Sequence, residues 1–163
     1  MAHEIERTFL VADDTWRSAA VEPVDMKQGY FDTADEVTVR VRTREPIRGD
    51  QQPRATLCIK GRPQGLTRPE FEYEVPFDDA SSMLELFCDE RIVEKTRYHV
   101  THDDHLWEID AFEGTHSGLV VAEVELESED EAISRPPWLG SEVTDDPAYL
   151  NEVLANEGLP VRQ

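Results

Sequence analysis

The stretch "HEIERTFLV", residues 3–11, sets Glu4, Glu6 and Thr8 two apart, with Ile5 between the glutamates. On an extended strand, side chains two apart point to one face. Two like charges side by side on a strand face are a cost that asks for a reason.

The same period of two runs on through the chain. "EVTVRVRT" puts Val37, Val39 and Val41 opposite Thr38, Arg40 and Arg42. "ATLCIKG" puts Thr56, Cys58 and Lys60 opposite Leu57 and Ile59, and "PEFEYEV" puts Glu70, Glu72 and Glu74 opposite Phe71, Tyr73 and Val75. "EKTRYHV" sets Lys95, Arg97 and His99 against Thr96, Tyr98 and Val100. "LWEIDAF" sets Glu108 and Asp110 against Trp107 and Ile109, and "VVAEVELE" sets Glu123 and Glu125 against Ala122, Val124 and Leu126. With a short strand at "MKQGYF", this gives about eight strands. "REPIRGDQQP", "GRPQGLTRP" and "THDDH" supply the turns. Helical spacing is confined to "DDASSMLELFCDE", "DDPAYLNEVLANEG" and a short "DDTWRSAA". Ser81 and Ser82 read as helix-cap residues, and His102 and His105 as part of a solvated turn.

The fold class is therefore α+β, mostly β, as one antiparallel domain over 1–163, a barrel or a sandwich. The formal net charge of −20, with lysine only at Lys27, Lys60 and Lys95, argues against nucleic acid or an anionic membrane as partner. Such a surface suits high salt. No apolar run is long enough for a transmembrane helix, and no signal peptide is read at the N-terminus. Cys58 and Cys88 read as free thiols, which favours a cytoplasmic location. Oligomeric state is not legible, though an exposed barrel face would suit a homodimer.

Periodicity leaves two arrangements open. In a sandwich the apolar faces turn inward and the charges face water. In the inverted arrangement the charged faces line a barrel interior and the apolar faces pack against helices outside. So many enclosed charges require pairing, hydration or bound ions. Clustered carboxylates suit a hard divalent cation, and clustered Arg and Lys suit phosphate oxygens.

The order of these motifs resembles the CYTH superfamily of triphosphate tunnel metalloenzymes. "EIERT" matches the family's Glu-x-Glu-x-Lys signature at Glu4 and Glu6, with Thr8 where the lysine is expected. "QGYF", "VRVR", "IKG", "EFEYEV", "KTRY", "WEIDAFEG" and "GLVVAEVELES" follow in the family order. "PPWLGSEVTDDPAYLNEVLA" is similar to the closing segment and last helix, with Ala148 where a basic residue is common. The resemblance implies an eight-stranded antiparallel tunnel with a charged lumen. It implies divalent-metal-dependent hydrolysis of a small triphosphate, most simply inorganic tripolyphosphate. The family also holds nucleotide and thiamine triphosphatases and class IV adenylate cyclases. Thr8 keeps a non-catalytic triphosphate-binding protein in view.

Carried onto this chain, Glu4, Glu6, Glu123 and Glu125 are candidates to bind Mg²⁺ or Mn²⁺. Arg40, Arg42, Lys60, Lys95 and Arg97 are candidates to grip phosphate, although Lys95 also suits a partnered role. Glu72, Glu74 and Asp110 are candidates to orient catalytic water or the basic residues. Solvent-facing acidic pairs and buried salt bridges are the plain alternatives for each set.

Overall fold

The computed structural model describes residues 5–34, 36–62 and 69–161; Glu4 and most of the "GRPQGLTRP" loop lie outside them. Nine strands and two α-helices follow in the order β1 (Ile5–Val11), β2 (Val21–Tyr30), β3 (Thr38–Pro46), β4 (Arg54–Lys60), β5 (Glu70–Val75), α1 (Phe77–Phe87), β6 (Ile92–His102), β7 (His105–Glu113), β8 (Val120–Leu126), β9 (Leu139–Glu142) and α2 (Asn151–Glu157). Every described pairing is antiparallel, in one sheet ordered β5-β4-β3-β2-β6-β7-β8-β1-β9.

This bears out the mostly-β antiparallel class and corrects the closed eight-stranded barrel. Among the described residues there are nine strands, and the edges β5 and β9 are not bonded to each other. The extra strand, "LGSE", is too short to show a period. It lies close against β1, where a Cβ on Gly140 would be 2.8 Å from the Leu10 carbonyl oxygen, and Arg7 of β1 donates to Glu142 at 2.7 and 2.8 Å. Strand β2 is also longer than "MKQGYF". Pro23 conceals its start, and the sheet accommodates Pro23 where the β2–β6 register slips between Val21 and Val24.

The two faces of the sheet have different coverings. On the outer face of β1, β7 and β8, Phe9, Trp107, Ile109, Ala122 and Val124 pack with Trp16 and Trp138. Trp16 comes from a 3₁₀ turn, Thr15–Ala19, where the sequence suggests a short helix. Farther along, α1 covers Val41 and Ala55 with Ala80, Leu84 and Cys88. Within α1, Ser81 and Ser82 are not caps; their hydroxyls donate to the Phe77 and Asp78 carbonyls at 3.0 and 3.1 Å.

The inner face carries Arg40, Arg42, Arg97 and Glu123, and only at one end is it apolar. There Tyr30, Val93, Phe112 and Val121 receive Leu154 and Ala155 of α2. The last helical segment is split: Asp146 caps Ala148 at 3.0 Å, Pro147–Tyr149 forms a 3₁₀ turn, extended Leu150 interrupts it, and Gly158 at φ +81° ends α2. His116 Nε2 lies 2.6 Å from the Leu154 carbonyl oxygen and ties α2 down.

Gly29 explains the spacing of "QGY". Its neighbours Gln28 and Tyr30 face inward, so position 29 faces α1. A Cβ there would lie 2.6 Å from Cys88 Sγ and 2.8 Å from Leu84. We expect Gly29→Ala to cost about 1–3 kcal/mol through overpacking. Urea unfolding checks this, and an unchanged midpoint would contradict it.

Candidate active site

Because side chains alternate across the sheet, one residue in two along each strand faces inward. β1 through β8 all contribute to one cavity of about 420 Å³. Its lining includes Glu6 and Thr8 from β1, Gln28 and Tyr30 from β2, and Arg40, Arg42 and Arg44 from β3. Lys60, Glu70, Glu72, Arg97, Glu108, Glu123 and Glu125 come from β4 to β8. The segment before α2 adds Thr144, Asp146 and Tyr149, and α2 adds Asn151 and Glu152. The inverted arrangement is thus the one the chain adopts.

Register segregates the charges. β3 lays Arg40, Arg42 and Arg44 along one wall. Across β7, β8 and β1 the opposed pairs are Glu108 with Glu123, Glu123 with Thr8, and Glu125 with Glu6. Like charges directly opposite destabilise a sheet, so this wall suits a cation. Thr8 sits on it as a neutral residue; its amide donates to Thr144 Oγ1 at 3.0 Å.

Most cavity cations already meet carboxylates. Arg40 Nη2 lies 3.0 Å from Glu72 Oε2, and Lys60 Nζ lies 3.3 Å from Glu70 Oε2. Cys58 Sγ adds a contact to Glu70 at 3.3 Å. Burial raises the Glu70 carboxyl, but Lys60, the Cys58 contact and Arg40 together outweigh it and hold the group below its usual value. Arg97 grips Asp110 with Nε at 2.7 Å and Nη2 at 2.9 Å, reaches Glu123 at 3.2 Å, and also pairs with Glu108.

Beneath this layer lies a buried centre. Lys95 and Asp110 are fully enclosed, with Nζ 2.6 Å from Asp110 Oδ2 and 3.0 Å from Asn151 Oδ1. Burial alone would raise the Asp110 carboxyl, yet Lys95 and Arg97 hold it far below the usual range. Burial opposes the Arg97 charge too, but Asp110 and the two glutamates raise its pKa. Glu123 is pushed upward by burial and then by Asp110.

The predicted residues therefore divide. Glu6, Glu123, Glu125, Arg40, Arg42, Lys60, Arg97 and Glu72 meet around the cavity. Lys95 and Asp110 do not line it; their charges are spent on each other and on Arg97 and Asn151. Glu74 also lies outside the lining, largely exposed and 3.7 Å from Arg54. Glu4 is outside the described residues. His105 and His102 are elsewhere, with His105 Nε2 2.8 Å from Glu131.

Sequence reasoning missed Arg44, Gln28, Asn151 and Glu152. Arg44 was within reach, because it continues the alternation of Arg40 and Arg42. Asn151 and Glu152 arrive through α2 folding back onto the concave face, which no local period signals.

A CYTH domain match spans residues 2–152. The chain belongs to the CYTH domain family. An inorganic triphosphatase of Acetivibrio thermocellus is 40% identical over 154 residues, covering 94% of each chain. One from Nitrosomonas europaea is 38% identical over 156 residues, covering 93% of this chain and 96% of its own. The crystal structure of the inorganic triphosphatase NE1496 superposes with a TM-score of 0.70 at 34% identity, covering 100% of this CYTH chain and 99% of its own.

Proposed function

We propose that this CYTH protein hydrolyses a small triphosphate, most simply inorganic tripolyphosphate, with a divalent cation. One observation carries the reading: a single cavity opposes an arginine wall on β3 to a glutamate wall on β7, β8 and β1. The relatives named inorganic triphosphatase support it.

The donor set fits a hard cation, because the acidic wall offers carboxylate oxygens and no imidazole. Glu6, Glu123 and Glu125 would hold Mg²⁺ or Mn²⁺, with Glu4 assigned to the same set from the sequence. The bound cation would neutralise charge on phosphoryl oxygens and ease deprotonation of water. Arg40, Arg42 and Lys60 would hold the phosphate chain for in-line attack, with Arg97 at the boundary between the walls. Glu72 would orient Arg40, and Asp110 would orient Arg97, so neither needs to act on water. Lys95 would act at one remove by fixing Asp110.

The test is phosphate release from tripolyphosphate, ATP and thiamine triphosphate with Mg²⁺ or Mn²⁺, at low and high salt. Turnover highest on tripolyphosphate is expected. Pyrophosphate with cyclic AMP from ATP would indicate a cyclase. Binding without products would indicate a triphosphate-binding protein, the outcome that neutral Thr8 keeps in play.

A further inference from the structure

We propose that Gln28 is a positioning residue that keeps Arg42 aimed at the substrate and without an internal counter-ion. This rests on the triphosphatase reading above.

Gln28 is fully buried and lies directly opposite Arg42 across β2 and β3. Arg42 Nε donates to Gln28 Oε1 at 2.9 Å, and Gln28 Nε2 donates to the Tyr30 hydroxyl at 2.9 Å. A guanidinium can only donate, so the amide oxygen must face Arg42 and the amide NH₂ must face Tyr30. On its other side Gln28 faces apolar Val93, so nothing there competes for the amide. The orientation is fixed at both ends.

The partner is unusual in being neutral. Arg40, Lys60 and Arg97 each meet a carboxylate within 4.0 Å. Among the described residues, no ion pair within that distance joins a carboxylate to Arg42 or to Arg44, and of the two Arg44 is the more exposed. Arg42 is recessed in the concave face, and burial and then the charges of Arg40, Arg97 and Arg44 lower its pKa to about 9. An unneutralised cation beside other cations is costly. An arriving polyanion relieves that cost, and a resident carboxylate would have to be displaced first. The amide therefore fixes geometry while leaving the charge for the ligand.

The experiment compares Gln28→Glu with Gln28→Met. Gln28→Glu keeps an acceptor for Arg42 but adds an anion. Gln28→Met removes both hydrogen bonds and adds no charge. With Mg²⁺, Gln28→Glu is expected to raise KM for tripolyphosphate about tenfold or more, as an added charge-assisted bond of ~1.5 kcal/mol must be displaced. Its kcat should change less than about threefold, and Gln28→Met should raise KM only a few-fold. Calorimetric titration with tripolyphosphate, without divalent metal, should give the same order. A purely structural glutamine predicts the reverse order, because methionine loses more contacts; that order, or no change in either variant, overturns the proposal. Arg42→Gln supplies a second test that does not need Gln28→Glu to fold. Its effect on KM should be smaller in the Gln28→Met background than in the wild type, and additivity overturns the proposal. Wild-type protein that neither binds nor hydrolyses tripolyphosphate overturns the triphosphatase reading and this inference together. Active wild type matched by Gln28→Glu sinks the inference alone.

Discussion

Glu125→Gln is expected to lower metal-dependent release of phosphate from tripolyphosphate by about 100-fold or more. Even the outer partners of metal ligands cost 10–100-fold when lost, and this residue is placed among the ligands. The same substitution should leave the Tm unchanged or raise it. Glu125 faces Glu6 across β1 and β8, and Glu123 faces Glu108 across β7 and β8. Arg97 offsets part of this repulsion at Glu108 and Glu123, and a wall of opposed like charges still favours holding a cation over stability. Neutralising one member relieves repulsion while removing a ligand. Opposite signs in the two measurements are the signature of a site. Full activity in Glu125→Gln at limiting Mg²⁺ would remove it from the metal set, and a large fall in Tm would mark it as structural.

The sequence made the walls legible and the interior layering illegible. Period-two alternation identified the inward set because a strand offers only two faces. Glu6, Glu123, Arg40 and Arg42 followed from parity once the family resemblance chose which face was inside. Parity does not resolve depth along a strand. Lys95 and Arg97 share a face of β6, yet Arg97 reaches the cavity and Lys95 lies enclosed beneath α2. Glu72 and Glu74 share a face of β5, yet only Glu72 lines the cavity. These separations depend on where α2 plugs the concave face and where the sheet ends. Both are long-range outcomes. Strand β9 was hidden for a related reason: its four residues are held by close approach of backbone to β1 and by the Arg7–Glu142 ion pair at 2.7 Å, contacts that no local side-chain period announces.

Asp110→Asn is expected to be the most damaging single change to the fold among the inward residues. Asp110 accepts from Lys95 at 2.6 Å and from Arg97 at 2.7 and 2.9 Å, with no exposed surface. Asparagine has nearly the same shape, but it replaces an anion with a neutral group and, whichever way the amide turns, sets an NH₂ against at least one of these donors. Breaking a buried pair in this way costs about 3–5 kcal/mol, because the remaining charges stay enclosed. Activity should fall with it, since Arg97 loses the group that orients it between Glu108 and Glu123. The pH dependence separates charge from shape. The folded-state pKa of Asp110 is depressed by Lys95 and Arg97, so its stabilisation is fully present above the unfolded value of about 3.9. It is lost as the pH falls below that value toward the folded pKa. Asp110→Asn has no such proton to take up. The stability gap between wild type and Asp110→Asn should therefore be widest near neutral pH and narrow as the pH drops below about 4. Urea unfolding of both proteins at pH 7 and at successively lower pH measures it. A gap constant with pH would mean that the carboxylate's charge is not what holds Lys95 and Arg97 in place.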